Sequence, residues 1–225
     1  MIEPKAPARG PRSENAHDYR RAFLSRVHEV LEGGYRRLDP ARYATEEEPA
    51  ITGELRREMK AYLREAAAPP WADNFFVQEE EPVNDGVRKG KSRSRVDIGV
   101  ECSTPRPGAS FSFEAKRLAR GYAVGKYLGL EGLGCILCGQ YAREDDDAGM
   151  IGYVQDDHPV YWAQQIEKSI RQDRAAYEVL GDQWWRAHAF ENGPTHVYAS
   201  THGRSSVGHP VTVYHSLLLF RPRAT

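Results

Sequence analysis

The chain has little of what secreted and membrane proteins depend on. Its 225 residues include only three cysteines, too few for a disulfide scaffold and typical of a reducing compartment. No apolar run approaches the roughly 18–20 residues needed to span a bilayer, so we expect no membrane partner. The first fifteen residues contain no apolar segment of the kind found in secretory signals. These absences lead us to expect a cytoplasmic protein with a core large enough for one domain.

The chain also lacks an excess of charge of either sign. Lys and Arg total 31 and Asp and Glu total 32, which gives a formal net charge of −1. This balance argues against a protein that coats polyanions over its whole surface, but it permits a local phosphate-binding site. Residues 86–95 are the candidate, because they combine five basic residues with glycines and serines and contain no acidic residue. The alternative is a solvated charged loop. The residues expected to contact nucleic-acid phosphates are Arg88, Lys89, Lys91, Arg93 and Arg95.

Hydrophobic periodicity and turn residues indicate a mixed order of helices and strands. Apolar residues at spacings of three and four predict helices at 13–32, 52–67, 124–142 and 159–180. Gly33 and Gly34 are expected to end the first helix, and Thr52 is expected to cap the second. Strands are predicted at 75–78, 96–100, 111–116, 150–155, 197–201 and 211–220. This order predicts an α/β fold with a central mixed sheet flanked by helices, in which residues 1–49 form an arm and helix before one domain at 50–225.

Two predicted strands carry a group of charged residues suited to catalysis. Asp97 lies in the first, and Glu114 and Lys116 lie two residues apart in the second, so these two share one face of the sheet. If the strands pair as a hairpin, Asp97 comes beside Glu114. Two close carboxylates repel each other unless a cation lies between them, and hard oxygen ligands select Mg²⁺ or Mn²⁺. With a neighbouring lysine, this group suits metal-assisted hydrolysis of a phosphodiester, and the alternative is a salt bridge on a half-exposed strand.

Asp97 followed seventeen residues later by Glu114-Ala115-Lys116 resembles the PD-(D/E)xK nuclease superfamily, whose fold is restriction-endonuclease-like. The resemblance covers about residues 50–155, where the predicted elements follow the αβββαβ order of that family's core. Val96 stands where the family's pattern has proline. The segments 114–118 and 148–155 are also similar, more weakly, to nucleases of bacterial anti-phage defence loci.

The resemblance implies a Mg²⁺ (or Mn²⁺) site held by Asp97 and Glu114, with Lys116 positioning the water or stabilising the phosphate. It also implies a further acidic group from the helix before the sheet, for which Glu54 is the best match, although an acidic residue in a first helical turn also favours the helix dipole. Gln155, at the end of the following strand, is expected near the metal or phosphate, the alternative being an ordinary polar strand end. The expected substrate is DNA.

A second function remains open from the sequence. The chain would then be a non-catalytic nuclease-fold subunit that binds nucleic acid or scaffolds a defence or repair complex, and either function is compatible with a homo-oligomer. Other motifs offer no competing chemistry. Cys135 and Cys138 form a C-x-x-C with no second pair to complete a zinc site, and the histidines of the last two strands show no catalytic spacing.

Overall fold

The computed structural model describes residues 13–79, 96–104, 108–121 and 124–221, and this part of the chain builds a seven-stranded mixed β-sheet. The strands are β1 (Phe75–Glu79), β2 (Ile98–Cys102), β3 (Ala109–Leu118), β4 (Asp147–Val154), β5 (Trp185–His188), β6 (Val197–His202) and β7 (Val211–Leu219). They lie side by side in the order β1-β2-β3-β4-β7-β6-β5. β4 runs parallel to both β3 and β7, and all other neighbouring pairs are antiparallel. The expected α/β architecture with a mixed sheet is confirmed.

Helices cover both faces of this sheet. They are α1 (Ser13–Arg36), α2 (Glu48–Leu63), α3 (Val124–Leu128), α4 (Leu133–Leu137) and α5 (Pro159–Gln172). One buried cluster joins α1 and α2 to the first face, and a second joins α3, α4 and α5 to the other. Because side chains alternate along a strand, Ile151 of β4 packs in the first cluster and Met150 in the second. None of the described helices is long and apolar enough to cross a membrane.

The first helix continues through Gly33 and Gly34 to Arg36, so the prediction that these glycines end it is wrong. Both glycines lie where α2 crosses α1. A Cβ on Gly33 would lie 2.5 Å from the Tyr62 ring, and one on Gly34 would lie 2.8 Å from the backbone nitrogen of Met59. Glycine therefore permits the close approach of two helices at this point. As a result α1 shares one hydrophobic core with α2 and the sheet.

The second helix begins and ends four residues earlier than predicted, at Glu48 and Leu63. Pro49 occupies its first turn, where the absent N–H has no helical partner to lose. Thr52 does not cap this helix. It is buried within it, where its hydroxyl donates to the Glu48 carbonyl at 2.8 Å and lies 2.9 Å from the Tyr153 hydroxyl. Because of this shift, Glu48 at the start of α2 lies next to the end of β3, and the second turn of the helix does not.

Residues 124–142 form two short helices, α3 and α4, instead of the single helix predicted. The turn between them requires glycine, because a Cβ on Gly132 would collide with the Tyr127 carbonyl oxygen and one on Gly129 would lie 2.7 Å from the Gly125 carbonyl oxygen. The N–H groups of Gly132 and Gly134 both donate to the Gly129 carbonyl, at 3.0 and 2.9 Å. The glycines therefore build a tight turn that interrupts the helical pattern.

The last third of the chain departs from prediction in two places. α5 begins at Pro159 as expected, with the His158 ring accepting the Val160 N–H at 3.2 Å, but it ends at Gln172 rather than near residue 180. β5 has no predicted counterpart, and it pairs with β6 at one edge of the sheet. β6 and β7 form the antiparallel closing pair that the sequence predicts.

A buried chain of hydrogen bonds joins α3 to β7 and β6. His202 Nδ1 lies 2.7 Å from the Tyr177 carbonyl, which can only accept, so the Nδ1–H donates. Burial lowers the pKa of His202 to about 4 and that of His215 to about 3, so both rings are neutral near pH 7. The direction of the chain follows: Ser200 donates to His202, His215 donates to Ser200, and Tyr127 donates to His215, over 2.7, 2.8 and 3.0 Å.

Candidate functional site

Asp97 lies immediately before β2 and against the end of β3. β2 and β3 pair antiparallel with Ile98 opposite Phe113, which carries Asp97 towards Ala115. One Asp97 carboxylate oxygen, Oδ2, accepts the Ala115 N–H at 2.8 Å. Burial raises the pKa of Asp97, and the Ala115 N–H and the Lys116 ammonium oppose this increase only in part. The pairing of these strands therefore brings Asp97 beside Glu114 and Lys116, as the sequence predicts.

Glu114 and Lys116 share one face of β3, and their side chains are hydrogen-bonded to each other. The Lys116 ammonium donates to Glu114 Oε1 at 2.6 Å and to the Ala115 carbonyl at 2.8 Å. Only 6% of the Glu114 surface is exposed, and 14% of the Lys116 side chain. The pair is thus withdrawn from solvent, and it differs from the surface salt bridge that the sequence left open.

Burial and charge shift the pKa values of this pair. Burial raises the pKa of Glu114 to about 8, and repulsion by Asp97 adds to the increase. The second oxygen of Glu114, Oε2, is buried and has no hydrogen-bond partner in the described part of the chain. For Lys116, burial alone would lower the pKa, but the Glu114 and Glu48 carboxylates outweigh burial and raise it. Lys116 is therefore an ammonium near pH 7, and Glu114 holds its proton to a higher pH than an exposed glutamate does.

Glu48, at the start of the helix before the sheet, contacts this pair of side chains, and the sequence did not predict it. It is the first residue of α2, and its Oε1 accepts from the Lys116 ammonium at 3.0 Å while its Oε2 accepts the Arg117 N–H at 3.2 Å. The available signal was Pro49, since proline favours the first turn of a helix. A helix placed from Pro49 would have put Glu48 at its start.

Glu54, the acidic residue expected to join the site, lies elsewhere. It is in the second turn of α2, where its carboxylate pairs with Arg57 and interacts with the Tyr43 hydroxyl. About 28% of its side chain is exposed. The structure therefore brings together Asp97, Glu114 and Lys116, and places Glu48 beside Lys116 instead of Glu54.

Gln155, the other residue expected near the metal or phosphate, follows β4 and holds a loop in place. Its side-chain nitrogen donates to the carbonyls of Tyr43 and Glu46, at 2.9 and 2.8 Å. Its side-chain oxygen accepts from the Arg117 guanidinium at 2.8 Å. Both ends of the amide are therefore used in fixing Arg117 and the segment that leads into α2.

An open cleft of about 630 Å³ lies beside Lys116, Arg117 and Glu48. Three elements line it: the start of α2 (Glu47–Pro49), the end of β3 (Lys116 and Arg117), and the α3–α4 region (residues 125–126 and 129–131). Lys116 is thus both a member of the buried charge cluster and part of the cleft wall. A substrate in the cleft would meet the ammonium group that Glu114 and Glu48 hold in place.

The donor atoms fit a hard divalent cation with few protein ligands. Among the described residues, no three or more His, Cys, Asp or Glu side chains are grouped so that they could hold a metal ion. Asp97 and Glu114 supply two neighbouring carboxyl groups, close enough for the charge of Asp97 to raise the pKa of Glu114. Mg²⁺ commonly uses one or two carboxylates and takes its remaining ligands from water and substrate phosphate. These two carboxylates meet that minimum.

The basic residues expected to contact phosphates, Arg88, Lys89, Lys91, Arg93 and Arg95, lie outside the described residues. Their role therefore stays a prediction from the sequence. The described residue that follows them is Val96, which is buried and directly precedes Asp97. In the sequence, the basic segment 86–95 therefore ends two residues before Asp97.

Comparison with known proteins returns no relative. No protein-family model, no curated protein and no solved structure matches this chain. The chemistry of the site therefore rests on its own residues.

Proposed function

We propose that this protein is a Mg²⁺-dependent nuclease that hydrolyses phosphodiester bonds of nucleic acid, with DNA as the expected substrate. One observation carries the proposal: Asp97, Glu114 and Lys116 converge where β2 begins and β3 ends, and Lys116 lines an open cleft. Two carboxylates and an ammonium in this arrangement suit the charge of a metal ion and of a phosphate.

The order of elements around the site supports the same proposal. From α2 to β4 the chain forms a helix, three antiparallel strands, two short helices and a strand parallel to the third. This is the αβββαβ order that the resemblance to PD-(D/E)xK nucleases implies, with Asp97 directly before the second strand and Glu114 and Lys116 on the third. α5 and the β5–β6–β7 strands would extend the restriction-endonuclease-like core.

Each residue would have a distinct role in this reaction. Asp97 and Glu114 would hold the cation, which when bound supplies Lewis acidity and lowers the pKa of a bound water. Lys116 would donate hydrogen bonds to the phosphate, because its raised pKa keeps it protonated and unable to act as a base. Glu48 would hold Lys116 at the cleft wall through the 3.0 Å bond to its ammonium.

A specific observation favours the second candidate, a non-catalytic subunit that binds nucleic acid or scaffolds a complex. The three N–H groups of Lys116 already meet three acceptors: Glu114, Glu48 and the Ala115 carbonyl. A closed network of this kind can be purely structural. The two candidates then differ in whether a metal ion and a substrate displace part of this network.

The test is cleavage of plasmid, linear DNA and RNA by the purified full-length protein in Mg²⁺, Mn²⁺ or EDTA. Asp97→Ala and Lys116→Ala should each slow metal-dependent cleavage at least about a hundredfold. Asp18→Ala, at an exposed residue paired with Arg21, is the matched control and should cleave like the wild type. Full activity of both site variants would exclude this site. No cleavage and no Mn²⁺ binding by the wild type, measured by calorimetry, would favour the non-catalytic subunit.

A further inference from the structure

Leu130 is the most exposed large apolar side chain in the described part of the chain, with 86% of its surface accessible. It lies in the turn between α3 and α4 and lines the same cleft as Lys116. A leucine as exposed as this contributes little hydrophobic stabilisation to the fold, because its side chain is removed from water only when a ligand enters the cleft.

The turn that presents Leu130 is fixed by its own hydrogen bonds. The Gly129 carbonyl accepts two N–H groups, from Gly132 and Gly134, and the Leu130 carbonyl accepts the Cys135 thiol at 2.9 Å. A Cβ on Gly129 or Gly132 would meet backbone oxygens, so the turn closes only with glycine there. The backbone is therefore held in a form that keeps the Leu130 side chain pointing away from the core.

The charged groups of the cleft are mostly paired with one another. Lys116 bonds to Glu48 at 3.0 Å, and Arg117 pairs with Glu47 and bonds to Gln155. Pairing of this kind leaves the cleft near neutrality, which suits it poorly to holding a run of phosphates by charge alone. The rest of the lining consists of Lys126 and Glu131, which carry opposite charges, three glycine or proline positions, and the apolar side chain of Leu130.

We propose that the cleft takes an unstacked nucleobase, packed against Leu130 and Pro49, so that the preferred ligand is a single strand or a duplex with an unpaired nucleotide. Apolar side chains inserted beside bases are a common means of holding them out of the stack, and apolar packing on a base face requires no particular base. This inference rests on the proposed function only in taking nucleic acid as the ligand. It adds the structural class of the substrate, which must offer a free base face.

The experiment uses oligonucleotides that carry one 2-aminopurine, as a single strand, as an unpaired nucleotide within a duplex, and as a fully paired duplex. Binding to the full-length protein is measured in EDTA by fluorescence anisotropy and by the 2-aminopurine signal, so that no cleavage occurs. Leu130→Ala is compared with Leu180→Ala, a matched change at a leucine that is 43% exposed and lies outside the cleft.

We expect the wild type to bind the first two oligonucleotides more tightly than the paired duplex, and Leu130→Ala to weaken those two on the order of tenfold, through the apolar surface that it no longer buries. Leu180→Ala should bind like the wild type. Equal binding of all three oligonucleotides, an unchanged Leu130→Ala, or no binding at all would overturn the inference. The proposed activity fails separately: Leu130-dependent binding without any Mg²⁺-dependent cleavage would refute the nuclease and leave this inference standing.

Discussion

Glu114→Gln tests the electrostatics of the site without any metal or substrate. In the folded protein the pKa of Glu114 is raised to about 8, first by burial and then by repulsion from Asp97, whereas its ordinary value is 4.5. Between these values the folded protein holds a proton on Glu114 that the unfolded chain has released. The free energy of unfolding therefore decreases as the pH rises, by about 1.4 kcal/mol per unit.

The size of the effect follows from the length of that interval. At pH 7 the folded wild type has lost about 3 kcal/mol relative to pH 4.5 through this group alone. Glutamine carries no charge at any pH, and its amide oxygen can still accept from Lys116 as Glu114 Oε1 does. Glu114→Gln should therefore be more stable than the wild type by about 3 kcal/mol at pH 7, and the difference should vanish near pH 4.5.

Other groups titrate in the same interval, so the comparison must be a difference between variants. Burial lowers the pKa of His28, His202 and His215, so each stabilises the fold above the ordinary value of 6.5 and loses that contribution as the pH falls. The histidine terms are common to both proteins and cancel.

The assay is urea denaturation followed by tryptophan fluorescence, in EDTA, at half-unit steps from about pH 4.5 to 8.5. Glu54→Gln, at a partly exposed carboxylate of α2, is the control and should follow the wild-type profile. A difference between Glu114→Gln and the wild type that stays constant with pH would refute the reasoning. A Glu114→Gln protein less stable than the wild type at pH 8 would refute it as well.

Three further predictions test the helix start, the helix packing and the buried hydrogen-bond chain. Glu48→Gln should slow Mg²⁺-dependent cleavage about tenfold more than Glu54→Gln, because Glu48 bonds the ammonium group of the site; equal rates in the two variants would contradict this. Gly34→Ala should destabilise the protein to urea by about 1–3 kcal/mol, since the new methyl group overlaps α2, whereas Gly53→Ala faces open space within a helix and should stabilise it by about 1 kcal/mol. Changes of the same sign would refute the packing argument. Ser200→Ala leaves two buried imidazoles each short of a partner and should cost about 2–3 kcal/mol in the same assay, and a loss under about 0.5 kcal/mol would show that the chain contributes little.

Local periodicity was enough to predict the part of the site that lies on two neighbouring strands. Side chains two apart in a strand share a face whatever surrounds them, so Glu114 and Lys116 had to point the same way. The antiparallel pairing of β2 with β3 then brought Asp97 to the Ala115 N–H. Both inferences depend only on strand geometry, which is why they did not need the rest of the fold.

The helical part of the site could not be predicted in the same way, because glycine and helix starts take their meaning from tertiary contacts. Two consecutive glycines are typical of a helix end. Gly33 and Gly34 nevertheless lie within α1, because α2 packs against α1 at these two residues. Threonine is a common N-cap residue, but the Thr52 hydroxyl is hydrogen-bonded to the Tyr153 hydroxyl of β4. A helix that begins at Thr52 would have Glu54 in its first turn, whereas the observed helix begins at Glu48. β5 has no signal in the local sequence, because this strand is defined only by its pairing with β6.

The charge of the cluster gives a physical reason for a divalent cation at this position. Asp97, Glu114 and Glu48 carry three negative charges when ionised, while Lys116 and Arg56, which bonds the Asp97 carbonyl, carry two positive ones. Among these described residues one negative charge is then left over, and a proton on Glu114 removes it, which is consistent with the raised pKa of that residue. If a divalent cation replaced the proton, the site would carry one positive charge, which complements the single negative charge of a phosphodiester. A site built only for stability would need no such excess, since replacing Glu114 by glutamine would already neutralise it.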